Sequence, residues 1–196
     1  MGATLVDADW SVELGADDPV LEFPWSSPDE SRGYVDLLSH PHELAKIPEA
    51  TLYPELAEFL LALNAPSSPW LTAKCDVWFD EELSQAEDIY DARLKTCSYV
   101  DLIFRAETSR FSFERHEQGV KSLARQSSDQ DDQPIACESI VRRCWYHTNS
   151  SADDNPTPGF YVTLYVFGYG NDETQARTRW AEGLLRVTSA LIAFQA

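Results

Sequence analysis

The chain has 196 residues, 43% hydrophobic and 12% aromatic, with 33 acidic against 15 basic side chains and a formal net charge of -18. That apolar content supports a packed core and excludes a chain too polar to fold. The charge repels phosphate backbones and anionic bilayers, so neither nucleic-acid nor membrane binding is expected; a cationic partner (a basic protein, a metal ion or a polyamine) is compatible, beside the reading that acidity only keeps the chain soluble.

The start of the chain has no basic region and no long apolar run, so it does not read as a signal peptide. No stretch reaches transmembrane length. The expected location is cytoplasmic, where Cys75, Cys97, Cys137 and Cys144 would stay reduced as small apolar residues.

Residues 1–30 carry eight carboxylates and no lysine or arginine. Within them, alternation over Trp10–Leu14 and Leu21–Trp25, with a Gly15–Pro19 turn between, predicts a hairpin. Its inward residues would be Trp10, Val12, Leu14, Leu21, Phe23 and Trp25, and Pro24 marks a strand end or edge. Residues 26–53, punctuated by Pro28, Pro41 and Pro48, read as an irregular excursion with a short helix near Tyr34–Leu38. Pro54–Leu63 is an amphipathic helix opened by its proline. Strands follow at Trp70–Phe79 and Thr96–Arg105, joined by an acidic connector over residues 80–91. A helix is expected over Ser112–Arg125, with Phe113, His116, Val120 and Leu123 on one face. Gln126–Pro134 is a polar loop where disorder is expected. Glu138–His147 is a strand, and Thr148–Pro158 is a second polar loop.

Gly159–Phe194 is the most legible stretch. Phe160, Val162, Leu164 and Val166 alternate with Tyr161, Thr163, Tyr165, Phe167 and Tyr169, as in a strand with two unlike faces. Trp180, Leu184, Val187 and Leu191 then recur at helical spacing. Asp172 and Gln175 suit a capping box at the start of that helix.

The order hairpin–helix occurs three times. This predicts a single α+β domain over 1–196: an antiparallel or mixed sheet of about six strands, three helices on one face and a ferredoxin-like core. The face away from the helices should then carry Trp78, Tyr99, Asp101, Arg143, Trp145, His147, Tyr161 and Tyr165. These are the candidate binding residues. Asp76, Arg105, Thr163 and Tyr169 would share that face. A second copy of the chain could cover it, the chain's own excursion or connector could fold over it, or it could form a ligand groove. In the groove reading, His147 would act as acid or base with Asp101 orienting it.

The sequence carries no motif for catalysis, cofactor or metal. His40-Pro-His-Glu43 fits no zinc spacing, the cysteines form no CxxC pair, and there is no G-x-S-x-G. Cys75, Cys97 and Cys144 could meet on neighbouring strands. Gly168-Tyr-Gly170 lacks the third glycine of a dinucleotide loop, and Asp172 and Glu173 would repel phosphate there. The expectation is a non-enzymatic protein acting through protein contacts, by self-association or with a basic partner. A small-molecule pocket or enzyme on the aromatic face is the alternative.

Overall fold

A computed structural model describes residues 6–127, 134–147 and 155–194. The centres of the two polar loops lie outside the described residues, as does the start of the chain.

Six strands form one mixed sheet: β1 (Val6–Glu13), β2 (Val20–Phe23), β3 (Trp70–Asp80), β4 (Leu94–Phe104), β5 (Ile135–Tyr146) and β6 (Thr157–Gly170). The spatial order is β1-β5-β6-β4-β3, with β2 also paired to β5. β3–β4, β4–β6 and β5–β6 are antiparallel. β6 is the centre, as its residues suggest: β-branched and aromatic side chains with no proline beyond its first turn of chain.

Two expectations need correction here. Trp10–Trp25 is not a hairpin. β1 and β2 both run parallel to β5, at Val6–Glu13 against Ile135–Arg142 and at Val20–Phe23 against Arg143–Tyr146. The Gly15–Pro19 turn is a jog in one interrupted edge strand and does not reverse the chain. The six residues expected inward therefore split: Trp10 packs toward the helices, Leu21 and Phe23 are buried on the opposite face with Trp25 half-buried beside them, and Val12 and Leu14 are exposed. β2 does end at Phe23, directly before Pro24. The ferredoxin-like order also fails for the run from β2 to β5, because β6 lies between β5 and β4.

The helices are α1 (Pro48–Leu52), α2 (Pro54–Asn64), α3 (Glu107–Arg110), α4 (Phe113–Ser127) and α5 (Glu173–Ala193), with 3-10 turns at Pro41–Lys46 and Gln85–Tyr90. Tyr34–Leu38 is not helical. The three longest helices share one side of the sheet. Leu56, Phe59 and Leu63 of α2, Val120 and Leu123 of α4, and Trp180, Leu184, Val187 and Leu191 of α5 form one core with Val100, Leu102, Val141, Val162, Leu164 and Val166. His116 of α4 is fully buried; burial pushes its imidazole down to about 4, so it is a neutral core residue that hydrogen-bonds Ser112 O. At the start of α5, Asp172 accepts from Gln175 N, and Gln175 accepts from Asn171 N.

α5 lies so close to β6 that the strand must be glycine beneath it. A Cβ on Gly168 would stand 2.6 Å from Trp180 Cα, and one on Gly170 would stand 2.5 Å from Ala176 N. This packing accounts for the two glycines that resembled a fragment of a dinucleotide loop.

Candidate binding face

Registry fixes which side chains share the face away from the helices. Residues paired across strands point the same way, and alternate residues point oppositely. One row across the sheet is Asp9, Glu138, Tyr165, Tyr99 and Asp76, from β1, β5, β6, β4 and β3. At about 4.8 Å per strand it spans roughly 19 Å. The next row is Ser11, Ile140, Thr163, Asp101 and Lys74, and on the other side lie Ala136, Phe167, Cys97 and Trp78.

The chain covers both ends of this face. At one end Trp25, Tyr34 and Leu38 pack on Leu71, Ala73, Ile103 and Tyr161, and Trp25 Nε1 donates to Ala73 O at 2.6 Å. At the other end the 3-10 turn Gln85–Tyr90 closes down. Tyr90 stacks on Tyr169 with ring centroids 3.9 Å apart. Glu87 accepts from Lys95 Nζ at 2.7 Å and from Tyr169 OH at 2.8 Å. Burial alone would raise its carboxyl, but these bonds and Ser84 hold it at about 2. Between the two covers, Trp78, Tyr99, Tyr165 and Phe167 stay half-buried, with Trp78–Tyr99 at 6.4 Å and Tyr99–Tyr165 at 6.1 Å. The face is therefore a trough, floored by rings and lidded at its ends.

A polar chain runs beneath the rings. Arg142 Nε and Nη2 hold Glu13 Oε2 at 2.8 and 2.7 Å, and Arg142 Nη1 donates to Thr163 Oγ1 at 2.9 Å. Thr163 in turn donates to Asp101 Oδ1 at 2.8 Å. Asp101 is 5% exposed. Burial pushes its carboxyl up to about 6, against the pull of Thr163, Lys74 and Arg142. Glu138 is also raised, by burial first and then by its neighbours Asp9 and Glu13.

Of the candidates named from sequence, Trp78, Tyr99, Asp101, Tyr161 and Tyr165 share this face, with Tyr161 buried under the Trp25–Tyr34 cover. Arg143, Trp145 and His147 do not. They alternate to the other side of β5: Arg143 donates to Gly15 O, Trp145 is exposed, and His147 Nε2 lies 3.3 Å from Glu22. The pairing of His147 with Asp101 is thus not assembled. Arg142 takes the place assigned to Arg143. Lys74 was missed although it sits two and four residues along β3 from Asp76 and Trp78; Glu138 was missed because the residues named on β5 have the opposite parity, and Glu13 because β1 was expected in a hairpin. Arg105 is also tied elsewhere, donating to the carbonyls of Ala65 and Pro66.

Comparison with protein-family models, curated proteins and solved structures found no match.

The remaining motifs resolve by placement. Among the described residues, no three His, Cys, Asp or Glu side chains converge as a metal site. Cys75 packs toward the helices, whereas Cys97 and Cys144 belong to the opposite face in separate rows, so the three do not meet. Burial pushes all three thiols up to about 12, leaving them protonated and unreactive. Among the described residues, no helix is long and apolar enough to cross a membrane.

Proposed function

We propose that this chain is a binding protein that docks a basic protein segment in the trough. The observation that carries this reading is the row Asp9, Glu138, Tyr165, Tyr99 and Asp76: two rings between carboxylates. Ring faces attract cations, more strongly for guanidinium than a greasy surface would, and flanking carboxylates add Coulomb attraction. The basic side chains of the face are ion-paired or held over rings. Arg142 is held by Glu13, Lys95 by Glu87 and Asp80, and Lys74 lies over the Trp25 and Tyr99 rings. The charge of -18 would speed the encounter with such a partner. Self-association through the same row would set carboxylate against carboxylate, so a basic partner is favoured over a second copy. The unbridged thiols of Cys75, Cys97 and Cys144 accord with a cytoplasmic setting.

The test is calorimetric titration with an octa-arginine peptide at low and at physiological salt. Binding is expected to weaken with salt. Tyr165→Leu is expected to weaken it about fivefold, the order of one exposed cation–π contact. Glu138→Lys is expected to weaken it further. Because any polycation is drawn to so acidic a chain, the ring decides: undiminished binding by Tyr165→Leu means attraction to net charge alone and defeats the proposal.

A further inference from the structure

After Trp25 the chain folds back on itself through the Ser26–Gly33 bridge and the Tyr34 N to Trp25 O bond, then passes around the outer edge of β3. Trp25, Tyr34 and Leu38 lie on the trough side, whereas Leu37, Leu44, Ile47 and Ala50 pack with the helices. A cavity of about 770 Å³ remains between this strap and the edge strand. That volume falls within the range of small-molecule sites, roughly 300–1,000 Å³.

The lining has a specific charge balance. It holds three carboxylates, two of them ion-paired. Glu43 pairs with Lys46 at 2.6 Å, Glu49 lies 3.7 Å from Arg32, and Asp76 accepts from Val77 N at 2.8 Å. Lys74 is different. Among the described residues it makes no ion pair within 4.0 Å; its ammonium lies 5.5 Å from the Trp25 ring centroid and 5.8 Å from that of Tyr99. Its neighbour across the strands, Asp101, is buried and committed to Thr163. The other titratable groups at the wall are neutral, since burial pushes both the Tyr34 hydroxyl and the Cys75 thiol up to about 12. An entering cation would find Arg32, Lys46 and Lys74, with Asp76 at the trough edge as the carboxylate that has no ion pair among the described residues. An entering carboxylate would find one ammonium already placed by two rings. Beside the hydroxyls of Ser31 and Thr72, the wall offers the rings of Trp25, Tyr34 and Tyr99, then Val35 and Ile47.

We propose that this cavity, which adjoins the β3 end of the trough and shares Lys74, Asp76 and Tyr99 with it, is a binding site for a small aromatic carboxylate. The carboxylate meets the Lys74 ammonium, a charge-assisted contact of the stronger kind. The ring of the ligand lies against Trp25 and the Val35–Ile47 wall, where offset or edge-on aromatic packing adds to burial. Desolvation is modest, because Lys74 is exposed in the free protein and gives up water, not a protein partner.

Calorimetry with three probes that share a ring and differ in charge tests this: indole-3-acetate, tryptophol and tryptamine, each against the full chain. Indole-3-acetate is expected to bind tightest and tryptamine weakest. Lys74→Met is expected to cut the affinity for indole-3-acetate about tenfold, the order of one charge-assisted bond, so that it binds no better than tryptophol. Lys74 is exposed, so this variant should fold, and at pH 5, where the Asp101 carboxyl is largely protonated, it should melt close to the parent. Ile47→Trp fills the cavity and should abolish binding of all three. Tryptamine binding as tightly as indole-3-acetate would overturn the proposal. So would an undiminished affinity in Lys74→Met or in a folded Ile47→Trp, or no heat from indole-3-acetate at millimolar concentration. Should Ile47→Trp fail to fold, the Lys74→Met comparison decides alone.

Discussion

Replacing Gly168 by alanine is expected to destroy the native state or to cost more than about 4 kcal/mol, beyond the range of ordinary substitutions. The added methyl would overlap the backbone of α5 at Ala176 O and Trp180 N and stand 2.6 Å from Trp180 Cα. A helix backbone cannot turn aside as a side-chain tip can, so α5 must lift away from β6. That movement uncovers Trp180, Leu184, Val187 and Leu191, all 3% exposed or less. Globular domains have only about 5–15 kcal/mol of stability in total. Urea unfolding followed by tryptophan fluorescence should show a much lower midpoint or no cooperative transition. Gly119→Ala in α4 is the control. Its methyl meets side chains and no backbone, the Trp70 ring at 3.3 Å and Phe104 Cζ at 3.9 Å, and it gains helix propensity. If the two variants behave alike, the account of the α5–β6 contact is wrong.

Asp101→Asn should have the second largest effect, in the opposite direction. In the unfolded chain an aspartate titrates near 3.8, and in the fold burial raises Asp101 to about 6. Between these values the folded state binds more protons than the unfolded state, so stability falls as pH rises from about 4 to about 6. Above that window the charged carboxylate costs about 3 kcal/mol, and below it the cost disappears. Asparagine keeps the acceptor for Thr163 and carries no charge to desolvate. The variant should therefore be more stable than the parent at pH 7.5, by up to that amount. The two curves should converge below pH 4. A parent whose relative stability is flat across the window would show that Lys74 and Arg142 offset the burial in full.

The sequence made the centre of the sheet legible and left its N-terminal edge illegible, for a physical reason. β6 has unlike faces, aliphatic on one side and tyrosine on the other, so its orientation follows from alternation alone. β5 presents Arg142 next to Arg143 and Trp145 next to Tyr146, so either parity looks equally amphipathic. What selects Arg142 for the trough is Glu13 on β1, a partner 129 positions away that no local pattern encodes. The same holds for β1 and β2. A Gly–Asp–Pro turn marks a break between strands, but hairpin and jog share that chemistry. The parallel partner that decides between them comes much later in the chain. Trp78, Tyr99 and Tyr165 were placed correctly because their strands have one clear apolar side. The cavity could not be anticipated, since it is bounded by an irregular strap whose path no periodicity predicts.

The interrupted edge strand also bears on how the protein is made. Its first strand leaves the ribosome long before β5 exists. At about 5–20 residues per second, β1 waits on the order of ten seconds for its strand partner β5. A nascent strand with unmet backbone groups invites pairing with other chains, and charge is the usual guard against it. The eight carboxylates and missing cations of residues 1–30 give such a guard to the segment that waits longest. Ribosome-stalled chains ending before Ile135 should accordingly leave residues 6–23 open to protease, and chains released past Gly170 should not. The acidity of this N-terminal stretch would then serve biosynthesis as well as any partner.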